Sequence, residues 1–137
     1  MKSKQNKVTD ANPIENYEIQ DDRIRKIFNL SNSEDLPNVS IKTITQYYKF
    51  LVEEIQEPFE AEYSVEIGPF ENKTYSITVK GFLPVKNSSD FDFYGIFCNV
   101  MKNNCKIKIP LASIELKKDS LNYQLIDDYL SWFWNYR

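Results

Sequence analysis

The apolar positions of this chain change period twice, dividing it into helical, extended and again helical sections. From Ser40 to Gln56, Ile41, Ile44, Tyr48, Leu51, Val52 and Ile55 recur at helical spacing, with Lys42, Gln46, Lys49 and Glu53 opposite. Phe50 falls on the polar side of that wheel. Asn38 or Ser40 supplies the cap such a helix needs, and Pro58 the stop after it. The period then drops to two. Phe59, Ala61, Tyr63, Val65 and Ile67 alternate with Glu60, Glu62, Ser64 and Glu66, the pattern of a half-buried strand. After Gly68-Pro69, Tyr75, Ile77 and Val79 alternate with Thr74, Ser76, Thr78 and Lys80, so the two runs predict an antiparallel hairpin. Its expected register brings Lys80 near Glu60.

A loop with Pro84, Asn87, Ser88 and Ser89 leads to Phe91–Val100, apolar at both parities and therefore expected as a strand covered on both faces. Met101-Lys102-Asn103-Asn104 reads as a turn, after which Ile107, Ile109 and Leu111 point inward and Lys106 and Lys108 outward. From about Asn122 the period is helical again. Leu121, Leu125, Tyr129, Trp132 and Phe133 form one stripe, and Tyr123, Leu130 and Trp134 a second one nearly opposite. A helix apolar on two sides is inserted between layers or sits at an interface. A shorter helix is expected from about Gln20 to Leu30, and residues 1–18 read as a flexible polar tail. The prediction is one α+β domain over residues 19–137. It has a small, mostly antiparallel sheet of four to five strands, open or curled like a barrel, helices before it and one aromatic helix after it.

Composition restricts what such a domain does. With 42% hydrophobic and 15% aromatic residues in 137, the chain has ample material for one core. A net charge of −3 and a pI near 5.1 leave no basic footprint for nucleic acid. No apolar run approaches the ~18 residues of a membrane span, and the N-terminus lacks the apolar region of a signal peptide, so a cytoplasmic location is the expectation. There is no histidine. That removes Ser–His and Cys–His nucleophile pairs and His-containing zinc sites, and two cysteines do not complete a structural zinc site. No enzyme activity is expected. Any metal bound should be a hard cation held by oxygen. Cys98 and Cys105 flank the predicted turn; without a secretion signal, free thiols are favoured over a disulfide.

The carboxylates are then the candidates for chemistry. Glu60, Glu62 and Glu66 share one strand face, but Lys80, Lys106 and Lys108 on the same sheet favour ordinary cross-strand charge pairing. Asp90-Phe91-Asp92-Phe93-Tyr94-Gly95 resembles the start of an EF-hand loop. Tyr94 stands where a third oxygen ligand belongs and Met101 where the closing glutamate belongs, so an EF-hand is rejected. Asp90 and Asp92, with Asn87, Ser88 and Ser89, remain an oxygen-rich loop able to hold calcium in another way.

Three stretches carry a family likeness: Tyr47-Tyr48-Lys49-Phe50 through Glu57-Pro58-Phe59-Glu60-Ala61, then Ile109-Pro110-Leu111-Ala112-Ser113-Ile114-Glu115, then Gln124 through Asp127-Asp128-Tyr129-Leu130-Ser131-Trp132-Phe133 to Asn135-Tyr136-Arg137. In order and spacing, residues 40–137 resemble the small bacterial calcium-binding proteins that lack EF-hands, a family first described in cyanobacteria. The resemblance implies a compact fold of helices around a small sheet, no enzyme activity, and Ca²⁺ held through carboxylates for buffering or signalling. By motif position it implies Glu115, Asp127 and Asp128 as acidic site residues; Asp90 and Asp92 are added from local chemistry. A different class also fits an acidic domain without catalytic residues. It is a protein-interaction module of the immunity or antitoxin kind, meeting a partner or a second copy through the aromatic C-terminal helix.

Overall fold

The computed structural model describes residues 13–137, with side chains from residue 19 onward. Helix α1 runs Pro13–Ile27, so it begins inside the segment expected as a tail; the rest of that segment, 1–12, lies outside the described residues. Proline suits a first helical position, because its missing N–H would have no intrahelical partner anyway. Helix α2 is Ile41–Glu54, and Ser40 caps it. The Thr43 N–H donates to Ser40 Oγ at 3.2 Å, and the Ser40 N–H to Thr43 Oγ1 at 2.8 Å. The inward face differs from the wheel: Tyr47 is fully buried while Val52 is 47% exposed. A contact face on three helices is wider than one stripe, and Tyr47 is drawn into it by the aromatic rings of α4.

Strands β1 (Phe59–Gly68) and β2 (Glu71–Phe82) form the expected hairpin, but one rung pairs Glu60 with Thr78, and Lys80 is not its partner. The Thr78 hydroxyl donates to Glu60 Oε2 at 2.9 Å. Phe91 does not begin a strand. Ser89–Tyr94 is a short helix, α3, and strand β3 is Phe97–Lys102. The chain can turn between them because Gly95 has φ 75°; a Cβ there would collide with the Tyr129 hydroxyl and the Phe133 ring. The Ile96 N–H donates to that same Tyr129 hydroxyl at 3.0 Å, which fastens the turn to the last helix. Asn103 and Asn104, at φ 51° and 66°, make the tight turn into β4 (Cys105–Pro110). Cys98 is buried and Cys105 exposed, and both are free thiols.

A single 3-10 turn, Leu111–Ser113, leads to the two-residue strand β5, Ile114–Glu115, and α4 is Tyr123–Asn135. The sheet order is β4-β3-β2-β1-β5, antiparallel throughout and open at both edges rather than closed into a barrel. One sheet face carries Ala61, Ile77, Val79, Val100 and Ile109 into the core. Helices α1, α2 and α4 complete that core through an aromatic cluster. Tyr47 stacks on Trp132 at 5.2 Å and meets Tyr129 edge-on at 5.2 Å, and Phe28 lies 5.2 Å from Trp132. The indole N–H of Trp132 donates to the Pro37 carbonyl at 2.8 Å. Of the two apolar stripes on α4, Tyr129, Trp132 and Phe133 are buried, Tyr123 and Leu130 are half-buried, and Trp134 is 60% exposed. Among the described residues no helix is long and apolar enough to cross a membrane.

Candidate metal centre

Strand β5 is short, yet it decides where acid collects. Antiparallel pairing sets Ile114 against Tyr63 and Glu115 against Glu62. Directly opposed residues of such a ladder present their side chains on one face, about 5 Å apart. Ile114 therefore goes to the core and Glu115 to the outer face, beside Glu62. Glu60 lies two residues along β1 on that same face. The chain between β5 and α4 brings Asp119 to the hollow these residues line, which has a volume of about 390 Å³. Gln56 and Asn122 form its wall. Buried Asn122 is fixed there: its Oδ1 accepts the Gln56 N–H at 3.1 Å, and its Nδ2 donates to the Gln56 carbonyl at 2.9 Å. Lys117 also borders the hollow, but among the described residues no salt bridge reaches any of these carboxylates.

On its other side Glu115 borders a second hollow of about 290 Å³, shared with Asp127, Lys118, Leu116, Tyr123 and Leu130. Glu115 and Asp127 are thus brought to one surface. The remaining candidates are elsewhere. Asp90 and Asp92 lie in the first turn of α3, both exposed, and Asp90 shares a hollow of about 290 Å³ with Lys108.

Asp128 sits in the seam between α1 and α4 and is 4% exposed. Arg23 grips it with two bonds, Nε to Oδ2 and Nη2 to Oδ1, each 2.8 Å, and Gln20 Nε2 donates to Oδ1 at 2.9 Å. Both carboxylate oxygens are already satisfied. The hydrogen bonding that Arg23 donates to Asp128 raises the Arg23 pKa, more than burial lowers it. Nearby, burial raises the pKa of Tyr47, and the Asp128 charge adds to the effect. Burial likewise raises Tyr129 and Cys98.

Among the described residues no three Asp, Glu or Cys side chains already converge on a metal-sized point. To share an ion, the exposed glutamates at the β1–β5 edge would have to swing together. The pairing of Glu62 and the approach of Asp119 are not visible in the sequence pattern: the alternation along β1 places Glu62 outward, but a two-residue strand has no period to read. Lys106 and Lys108, expected to neutralise this face, sit on β4 at the opposite edge of the sheet.

An open antiparallel sheet backed by three helices, with carboxylates along one edge that no salt bridge among the described residues engages, defines a small α+β protein with hard oxygen atoms on its surface. A family model described as calcium binding, CcbP, matches residues 32–133, and the chain belongs to that family. The crystal structure of Anabaena CcbP is similar, with a TM-score of 0.60 and 19% identity over 88% of this chain and 91% of that one. So is a calcium-binding protein solved in its calcium-binding form, with a TM-score of 0.62 and 18% identity over 89% and 94%. At these identities the two structures speak for the fold. Comparison with curated proteins finds no match.

Proposed function

We propose that this protein binds Ca²⁺ without enzyme activity, as a cytoplasmic buffer or signalling component, at the β1–β5 edge. Glu115 and Glu62 are the central ligands, Glu60 and Asp119 complete the charge, and Asp127 is reached from the other side of Glu115. The observation that carries this reading is the Glu62–Glu115 pair. Like charges directly opposite in a ladder destabilise it, and among the described residues no salt bridge engages either of them. A divalent ion removes that repulsion. Membership of a calcium-binding family gives the ion its identity. Asp128 serves the framework instead, because a carboxylate with both oxygens bonded has little left to offer. Asp90 and Asp92 would hold at most a separate, weaker ion.

Exposed ligands that must reorganise make for a low-affinity site, on the order of 10⁻⁴–10⁻³ M. Calorimetric titration with Ca²⁺, and with Mg²⁺ as control, tests this in the wild type, Glu62→Gln and Glu115→Gln. Heat with Ca²⁺ is expected in the wild type and its loss in both variants. Absence of heat and of any melting shift at millimolar Ca²⁺ would sink the proposal.

A second reading, a docking face for a partner or a second copy, has one observation behind it. At the end of α4, Trp134 is 60% and Phe93 62% exposed, and the Arg137 guanidinium lies 5.8 and 5.6 Å from their rings. Light scattering across a concentration series tests self-association: a constant monomer mass removes the homodimer.

A further inference from the structure

Strand β4 is the outermost strand at one side of the sheet, and the pairing of β3 with it fixes what its free edge presents. Asn103 and Asn104, both at positive φ, join the two strands in a two-residue turn. In such a hairpin the flanking residues, Lys102 and Cys105, exchange both backbone bonds, and bonded and non-bonded rungs then alternate. Lys106 and Lys108 fall on non-bonded rungs, opposite Met101 and Asn99. Two bonds at the far end agree with that phase. The Leu111 N–H donates to the Ile96 carbonyl at 2.8 Å, as a bonded rung requires. The Leu83 N–H donates to the Phe97 carbonyl at 2.9 Å, so Phe97, which shares its phase with Asn99 and Met101, faces β2. The N–H and C=O groups of Lys106 and Lys108 therefore point out of the sheet edge. Among the described residues no backbone group bonds to them.

The same two residues carry charge. Both lysines are exposed on the outer face, and among the described residues no salt bridge engages either. Asp90 borders one hollow with Lys108 without forming a salt bridge to it. Ile107, between the lysines, is half-buried against the core. Along this edge a backbone donor and acceptor with a positive side chain come first, then an apolar contact, then the same polar set again. Lysines on an edge ordinarily deter strand pairing. They do so against a second β4, because pairing through these backbone groups would set lysine opposite lysine. An acidic strand meets no such repulsion.

We propose that the β4 edge takes an extended acidic segment of a partner protein as a sixth, antiparallel strand. Acidic and apolar residues alternate in that segment. The acids lie opposite Lys106 and Lys108 and exchange backbone bonds with them, while the apolar residue between them lies opposite Ile107. In this mode of recognition main-chain bonds supply affinity, and alternate side chains supply specificity. Strand β4 is at the opposite edge of the sheet from Glu62 and Glu115, so this contact and calcium binding can each fail alone.

The test adds a capped pentapeptide of alternating glutamate and valine, with glutamate at both ends, to the full chain and follows amide NMR shifts. The Lys106 and Lys108 amides should shift. The same peptide with lysine in place of glutamate should bind at least about tenfold more weakly. N-methylation separates strand pairing from charge attraction alone. On the glutamate nitrogens it should abolish binding; on the valine nitrogens, which face away from β4, it should change little. Lys108→Pro removes an outward N–H that no bond to β3 uses, so the variant should keep the wild-type fold and lose the peptide. Lys106→Glu with Lys108→Glu leaves the backbone intact and should reverse the preference, binding the lysine peptide over the glutamate one. Equal binding of the two peptides by the wild type, an equal effect of the two methylations, or no reversal in the double variant would overturn the proposal. So would the absence of shifts at about 10 mM peptide, where a site with a millimolar Kd is mostly filled. A mass of two chains in light scattering that Lys108→Pro halves would also overturn it, since the edge would then belong to a second copy.

Discussion

Asp128 and Glu115 carry the same expectation from the family resemblance, yet the fold treats them in opposite ways. Asp128 is 4% exposed, and Arg23 and Gln20 supply donors to both of its oxygens. Glu115 is exposed and faces a second carboxylate, Glu62, across the ladder. A buried charge is retained only when the protein completes its hydrogen bonds, and Asp128 meets that condition within the chain. An exposed charge facing its own kind is screened by solvent, and gains most from a cation, which no salt bridge among the described residues supplies here. The difference teaches that acidity alone does not mark a ligand. What marks one is a carboxylate whose partner is missing.

The largest effect should come from breaking the sealed pair. Asp128→Ala leaves Arg23 without its counter-ion and is expected to cost about 2–4 kcal/mol, read from urea denaturation midpoints. Arg23 is 35% exposed and can turn to water, which keeps the loss toward the lower end. Replacing both members, Arg23→Met with Asp128→Leu, should restore most of that stability, since apolar residues can fill a buried ion pair's place at little cost. This folded double variant then sharpens the contrast: its calcium heat should equal that of the wild type. If the heat disappears while the fold persists, Asp128 is a ligand after all.

Next in size is the open pair. Calcium at about ten times its dissociation constant should stabilise the wild type by about 1.4 kcal/mol. Glu62→Gln should abolish that gain. In the absence of calcium the same variant should be slightly more stable than the wild type, by about 0.2–1 kcal/mol, because the repulsion across the ladder is gone. Stability that falls on removing Glu62 without calcium would show that the carboxylate is already satisfied, and would erase the distinction from Asp128.

The sequence pattern carried the frame further than the site. The period change at Pro58 marked the hairpin, and the Tyr129–Trp132–Phe133 stripe marked the face of α4 that the core encloses. Val52 and Phe91 were misplaced, and Tyr47 left off the inward face of α2, for one reason: wheels and alternation describe a single element, and these residues answer to neighbours far away in the chain. Phe91 looked like strand because apolar residues filled both parities, whereas Gly95 and the Tyr129 hydroxyl fix a helix-to-strand turn at that point. The candidate site was legible only in part for the same reason. Glu115 could be named from its motif, but Glu62 becomes its companion through a two-residue strand, and Asp119 through a loop.

A smaller effect is expected at α3. Asp90→Asn with Asp92→Asn should leave calcium heat unchanged within error and shift stability by about 0.5 kcal/mol or less, as exposed surface substitutions do. Each aspartate is exposed at a helix start, and Asp90 has Lys108 on the wall of the same hollow. Loss of a full equivalent of calcium in this variant would move the site from the sheet edge to the α3 loop.

The smallest effect concerns a carboxylate that belongs to neither class. Asp21 lies on α1 between Gln20 and the Arg23 that seals Asp128, and among the described residues no side chain donates to it. Partial burial raises its pKa above the ordinary 3.8; Arg25 opposes the rise and Asp22 adds to it. A carboxyl whose folded pKa is raised favours folding while it is protonated, below its unfolded pKa, and loses that contribution as pH climbs through the folded value. At neutral pH the ionised Asp21 is therefore a slight burden, screened by the water that still reaches it. Asp21→Asn should raise stability at pH 7 by about a few tenths of a kcal/mol, and the gain over the wild type should vanish as pH falls below about 3.8, where both side chains are neutral. Parallel denaturation curves at pH 7 and pH 3 read the difference directly. A gain that persists in acid would have to come from packing or helix propensity rather than charge, and Asp21 would then join the satisfied carboxylates of the seam.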